Sequence, residues 1–199
     1  MIDIERLKLF KQYLNTIQFH LDKYFEDQKE YLCCSKGCSH CCKRGTYPYS
    51  QIEFDYLMIG FFKMDLKEQQ GVIRRIQKLK AEYDELENKE NFMHECPFLN
   101  DEGVCTVYEN RGLICRTFGL LKANSDEEIV MPFCKELGLN YSKVYNPETK
   151  MLDDELVKKY GYKNTPKAYP LSFKTLMSED LFEDVKIDFG EIKSLIEWL

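Results

Sequence analysis

The chain has 199 residues, 44% of them apolar, with 31% charged residues of mixed sign and a formal net charge of −6. That supports one good core with an extension, and no apolar run approaches the roughly 20 residues that span a bilayer. The acidic balance lacks the basic footprint that phosphate backbones require, so the expected partners include no nucleic acid and no membrane, with Lys43-Arg44 an example of a merely local basic patch. Met1-Ile2-Asp3-Ile4-Glu5-Arg6 carries two acids before any apolar run and gives no export signal. A reducing, cytoplasmic setting follows as the expectation. Nine cysteines in such a setting point to metal binding or thiol chemistry rather than to a disulfide framework, which an odd count also disfavours.

In chain order, Leu7, Phe10, Leu14, Ile17, Leu21 and Tyr24 recur at steps of three and four, the spacing of one helix face. They predict a long amphipathic helix over 3–31 with a core-facing role. Thr46-Tyr47-Pro48-Tyr49 reads as extended chain. Ser50 with Glu53 forms a capping box ahead of an apolar run and predicts a helix over 51–63. Asp65 with Glu68 repeats the signal, and Val72, Ile76, Leu79, Tyr83 and Leu86 share one face of a helix over 66–91, in which Gly71 is a weak point. From Cys96 to Cys134 the chain is turn-rich, with Asn100-Asp101-Glu102-Gly103 a turn and Val104–Tyr108 a short β-prone run. Asp188 with Glu191 predicts a cap for a last helix over 188–199.

The first cysteine block reads Cys33-Cys34-Ser35-Lys36-Gly37-Cys38-Ser39-His40-Cys41-Cys42. Cys38-x-x-Cys41 lets two side chains of one turn reach a single ion, and Gly37 lets the backbone bend before it. On one straight helix, residues 34 and 42 would stand about 12 Å apart at ~1.5 Å per residue, whereas sulfurs sharing a zinc at ~2.3 Å bond length are about 4 Å apart. Either the block bends at Gly37 or its thiolates serve two centres. The second block, Cys96, Cys105, Cys115 and Cys134, is separated by eight, nine and eighteen residues. These gaps suit loop positions that converge on a site seeded by the first block.

A lone thiol is often just a small buried hydrophobe, and Cys33 is read that way; the other eight are read as ligands. Thiolates around a metal need nearby cations and N–H donors, for which Lys36, Lys43, Arg44 and Arg116 are the local candidates, Arg116 being equally readable as a surface residue. His40, which could coordinate metal, reads first as a neighbour of the site, and His94, which could serve as an acid/base group or ligand, reads first as a surface loop residue.

These residues resemble a known family. Cys34-Ser-Lys-Gly-Cys38-Ser-His-Cys41-Cys42, then Cys96-Pro-Phe-Leu, Gly103-Val-Cys105-Thr-Val-Tyr108-Glu109-Asn-Arg111 and Cys115-Arg116-Thr-Phe118, look like the CxxCxxCC cysteine-cluster family, the YkgJ-like proteins, over roughly residues 31–136. The resemblance implies zinc or iron chelation without choosing the metal. It also implies a first cluster at Cys34, Cys38, Cys41 and Cys42, and a second at Cys96, Cys105 and Cys115, with Cys134 as last member. The chain departs from the family's usual Arg-Pro pair in having Gly112 after Arg111, which is expected to loosen the turn before Cys115, and it has three residues rather than two between Cys34 and Cys38. The flagellin lysine methylases resemble the same cysteine pattern but are larger, and imply no methyltransferase activity here.

Three readings follow. The first is a metal-binding module whose zinc or iron organises 96–134 and presents a surface to a protein partner. The second is an enzyme with an iron–sulfur cluster or an open metal position, although no Ser/His/Asp array, phosphate loop or His-Glu-x-x-His motif is present and the histidines are His20, His40 and His94. The third, thiol redox work at Cys38-x-x-Cys41, lacks a thioredoxin-like βαβ context. The expected fold is mainly α, a single domain of several helices around an irregular cysteine-ligated metal centre with little β. Its segments are an N-terminal helix over 1–32, the cysteine-cluster domain over 33–136 and a packed extension over 137–199. Zinc, iron and an iron–sulfur cluster all suit thiolate ligands.

Overall fold

The computed structural model describes residues 3–35, 37–90, 92–123, 128–178 and 187–199. The chain folds into two compact units, one of Met1–Leu14, Lys36–Arg116 and Glu183–Leu199, the other of Asn15–Ser35 and Thr117–Phe182. Each is therefore assembled from segments distant in sequence.

Helix α1 (Ile4–Asp27) contributes to both units. Asp3 caps it by accepting from the backbone N–H groups of Glu5 and Arg6, satisfying donors that a helix start leaves orphaned. Its predicted apolar face is largely the buried one: Phe10, Leu14, Ile17 and Leu21 are all 3% exposed or less, while Leu7 and Tyr24 are half-buried. The helix ends at Asp27, and a 3-10 turn, Lys29–Tyr31, completes the span expected as one helix.

In the first unit, α2 (His40–Lys43) is a single turn. Strand β1 (Pro48–Ser50) leads into α3 (Gln51–Phe62) through the predicted capping box, with Ser50 and Glu53 bonded reciprocally. Helix α4 (Leu66–Asp84) is capped by Asp65, which accepts from Glu68 N. It buries Val72 and Leu79 and runs unbroken through Gly71. It stops seven residues short of the expected end, 84 against 91, and residue 91 lies outside the described residues. The core joins Phe10 to Tyr56 and Phe189 edge to face, at ring separations of 5.6 and 6.3 Å, an arrangement aromatic quadrupoles favour. The C-terminal expectation is corrected: no helix starts at 188. Instead β7 (Ile192–Ser194) pairs antiparallel with β1, and α8 (Leu195–Trp198) begins at a capping box of Ser194 and Glu197. Asp188 bonds Gly190 N and faces Arg6 rather than capping a helix.

The second unit contains α5's last residue (α5, Leu113–Thr117) and a three-stranded sheet in which β2 (Lys122–Ala123) lies between β3 (Ile129–Val130) and β6 (Tyr169–Pro170). A hairpin, β4 (Tyr145–Asn146) and β5 (Met151–Leu152), precedes α6 (Asp154–Lys159), and α7 (Phe173–Leu176) follows β6. Its core is Tyr31, Leu121, Tyr141, Val144 and Val157. Eight α-helices thus supply the main regular structure among the described residues, with strands only two or three residues long. The β-prone run Val104–Tyr108 forms no strand; only the isolated pairing of Leu99 with Cys105 survives of it.

Candidate metal centre

The first block does bend. Gly37 takes φ +88°, a left-handed conformation that glycine adopts without penalty, and helical structure begins only at His40. Cys41 and Cys42 sit on α2, half-buried, while Cys38 is exposed. The second block is built from turns. Leu99 N donates to the Cys96 carbonyl at 3.0 Å, and Asn100 closes the predicted turn by accepting from Glu102 N and Val104 N at 3.1 and 2.8 Å. Thr106 N then bonds Phe98 O at 2.9 Å, which fixes Cys105 between two anchored residues. Cys115 lies on α5, whose first N–H, at Leu113, donates to Glu53 Oε1 at 2.7 Å.

Within the first unit the two blocks are tied by backbone. Cys96 N donates to Cys42 O at 2.8 Å, and Gly45 and His94 exchange both of their backbone bonds at 3.1 Å. Tyr47, 1% exposed, reaches the carbonyls of Cys42, Cys41 and His94 with its hydroxyl at 2.9, 3.2 and 3.3 Å. Cys41, Cys42, Cys96, Cys105 and Cys115 are thereby brought close enough to feel one another's charge. Burial and then repulsion from Cys115 hold the Cys96 thiol well above its ordinary range. Burial likewise pushes Cys115 up to about 12, with Cys42 and Cys105 adding repulsion, and it raises Cys105. Cys41 donates to Cys42, so Cys41 keeps its proton while Cys42 is pulled down. Cys38 adds to the repulsion at Cys41.

Cys34 and Cys134 belong to the second unit, again one from each block. Both act on the buried Tyr141 hydroxyl, whose pKa is raised, chiefly by burial. Asn140, 1% exposed, donates from Nδ2 to Cys34 Sγ at 3.1 Å and to Gly119 O at 3.0 Å, while its Oδ1 accepts from Cys33 N at 2.7 Å. Gly119 leaves room for that sulfur: a Cβ there would stand 2.5 Å from it.

The donor chemistry fits a thiolate-loving metal such as zinc or iron, since buried thiols that repel as anions are relieved by a cation between them. The spacing is not closed: among the described residues no three His, Cys, Asp or Glu donors stand around one point as an ion requires. The ready-made metal centre in the expected fold is thus not seen, and the sulfurs must draw together to share an ion.

Several expectations need correction. Cys33 is exposed rather than a buried hydrophobe; it follows the extended Leu32 that ends the 3-10 turn. His94 is 6% exposed rather than on the surface, packed between Phe92 and Tyr47 rings. Its Nδ1 faces the Glu95 carbonyl at 2.9 Å, and its buried Nε2 has no hydrogen-bond partner among the described residues. With Cys96, Lys43, Arg75 and Lys78 it lines a cleft of about 330 Å³. Arg116 is buried and donates to the carbonyls of Glu109 and Arg111 at 2.8 and 3.2 Å, which holds the chain ahead of Cys115. Gly112 does not loosen that chain. Its N–H donates to the Tyr49 hydroxyl at 3.1 Å, a bond that proline has no donor to make.

The cation that acts on Cys42 and Cys105 is Arg111, stacked on Tyr108 at 3.7 Å. Lys43, Arg44 and His40 are exposed, and Lys36 lies outside the described residues. Arg111, Tyr47, Tyr49 and Asn140 are the residues that sequence reasoning missed. The i, i+2 tyrosines of an extended segment, which share one face, were the available signal for two of them.

No helix among the described residues is long and apolar enough to cross a membrane. The family model described as "CxxCxxCC: Putative zinc- or iron-chelating domain" matches residues 33–135, just over half of the chain. Among curated proteins and among solved structures nothing matches.

Proposed function

The chain belongs to the CxxCxxCC family, and from that premise we propose that it chelates zinc or iron through thiolates of both cysteine blocks. Cys41, Cys42, Cys96, Cys105 and Cys115 form the principal donor set, with Cys38 beside it, and Cys34 with Cys134 forms a second group. The observation that carries this reading is the convergence of five half-buried thiols from two blocks more than fifty residues apart in sequence, tied by the bond from Cys96 N to Cys42 O at 2.8 Å. Concentrating protonated thiols costs little, but concentrating thiolates without a counter-cation is costly.

The protein's part is to assemble the sulfurs and tune them. Backbone bonds tie the blocks, Arg111 offsets thiolate charge, Asn140 places a polar hydrogen on Cys34, and the Tyr49 hydroxyl stands at Cys115. The bound metal would cross-link turn-rich chain whose apolar anchors are Phe98, Leu99, Val107 and Leu113. That all nine cysteines stand outside disulfides suits a reducing, cytoplasmic compartment, and a protein partner is a natural reader of the surface so organised. Anaerobic purification followed by metal and acid-labile sulfide analysis tests the reading. Zinc without sulfide identifies a structural ion, iron with sulfide an iron–sulfur cluster, and protein without either metal refutes the proposal.

A further inference from the structure

Tyr49 is 2% exposed in β1, and its hydroxyl meets two groups. It accepts from Gly112 N at 3.1 Å and stands 3.6 Å from Cys115 Sγ. The Gly112 bond uses an oxygen lone pair and leaves the phenolic hydrogen for the sulfur. A thiol that binds metal loses its proton, so in the loaded protein the hydrogen in this contact must come from Tyr49. The ring is held at both ends. The Tyr49 carbonyl accepts from Trp198 Nε1 at 2.9 Å and the strand pairs with Lys193. At the other end, residue 112 passes so close that a Cβ there would stand 2.7 Å from the Tyr49 ring. Tyr47, two residues earlier and as deeply buried, spends its hydroxyl on backbone carbonyls instead.

We propose that Tyr49 is a positioning residue that holds the Cys115 thiolate in a directed O–H···S hydrogen bond and thereby sets how strongly this sulfur donates to the metal. The proposal rests on the metal-chelation reading above and assigns a specific tuning group to one of its ligands. A hydrogen bond withdraws electron density from a ligand sulfur, and such outer partners adjust the affinity and electronic properties of a metal site. Tyr49 thus makes Cys115 a weaker donor and a less reactive sulfur than its neighbours. Residue 112 is coupled to the same device, because its N–H orients the hydroxyl that faces the sulfur.

Cobalt(II), loaded anaerobically into the full chain as a probe, reads the sulfur directly through its sulfur-to-metal charge-transfer band. Tyr49→Phe should bind the same number of cobalt ions while the band moves to lower energy, as expected for a more electron-rich sulfur. Tyr160→Phe, at an exposed tyrosine that closes α6 and takes no part in the cysteine site, should leave the band in place. An unmoved band in Tyr49→Phe, or an equal shift in Tyr160→Phe, overturns the proposal. Should Tyr49→Phe fail to fold, 3-fluorotyrosine installed at position 49 keeps the ring and strengthens the donor. The band should then move to higher energy, and an unmoved band overturns the proposal. A native chain that takes up no cobalt, or Cys115→Ser with undiminished charge-transfer intensity, strikes at the chelation reading itself and brings the Tyr49 assignment down with it.

Discussion

Cys96 donates its backbone N–H to the carbonyl of Cys42 at 2.8 Å, so two cysteines separated by fifty-three positions are joined by a bond that involves neither thiol. Removing a sulfur by mutation to serine therefore leaves this scaffold intact and reports on ligation. Cys115→Ser is expected to release metal that Cys41 and Cys42 also hold and to speed hydrogen exchange across residues 38–42. Exchange changes confined to 96–116 would mean that the blocks do not share an ion.

Tyr47 ties three carbonyls, at Cys41, Cys42 and His94, to one buried hydroxyl. The carbonyls of Cys42 and His94 keep their bonds from Cys96 N and Gly45 N, so what is lost is the hydroxyl's own hydrogen bond, worth roughly 0.5–1.5 kcal/mol. Tyr47→Phe should lower unfolding stability by about that amount and weaken metal retention, measured by denaturant titration with and without metal. A phenylalanine variant as stable as the parent would show that water replaces the hydroxyl without cost.

Two glycines near the cysteines should respond to alanine for different reasons. At Gly112 a Cβ would stand 2.7 Å from the Tyr49 ring and 3.0 Å from Glu53 Oε1, and overpacking of this kind costs roughly 1–3 kcal/mol. At Gly37 nothing lies within 4 Å, but φ is +88°, so the penalty is backbone strain of about 1–2 kcal/mol. Thermal melts of the two variants should both fall. Asparagine, which tolerates left-handed backbone, should recover much of the loss at Gly37 and none of it at Gly112; recovery at both would refute the steric explanation.

The contrast between Glu53 and Arg111 shows what the sequence could reveal. The Ser50-x-x-Glu53 spacing announced a helix start, and the box forms, because a cap is local chemistry within four residues. That Glu53 would also accept from Leu113 N, sixty residues away, depends on the packing of α5 and leaves no mark on local sequence. Arg111 was visible within the motif, yet its action on Cys42 and Cys105 needs the turn at 100–103 and the 3-10 turn at 108–110 to bring it there. The cysteine spacing offered a bend at Gly37 as one of two alternatives, and the bend is found. It could not show that Cys34 and Cys134 fall in one compact unit and the remaining six in the other, since that division follows from how α1 and the 117–182 segment pack. The last helix failed for a related reason: Ile192 and its neighbours gain more from pairing with β1 than from extending a four-residue helix.

In the second unit Asn140 carries three bonds with one side chain. Asn140→Asp keeps the acceptor for Cys33 N but replaces both N–H donors with an oxygen that repels a thiolate. It should destabilise the fold by roughly 2–3 kcal/mol, and it should slow alkylation of Cys34 in the metal-free protein by disfavouring its thiolate. Alkylation at the parental rate would show that the Asn140 contact does not act on this sulfur.

Metal content, measured anaerobically on the gently purified chain and on paired variants, tests chelation by both blocks most directly. The parent should carry at least one zinc or iron ion per chain. Cys33→Ser should keep that content, while Cys41→Ser and Cys115→Ser, one from each block, should each lower it, and a chelator that strips the metal should lower the melting temperature. A parent protein free of metal that melts at the same temperature with and without added zinc or iron, or equal metal content in all three variants, would contradict the account.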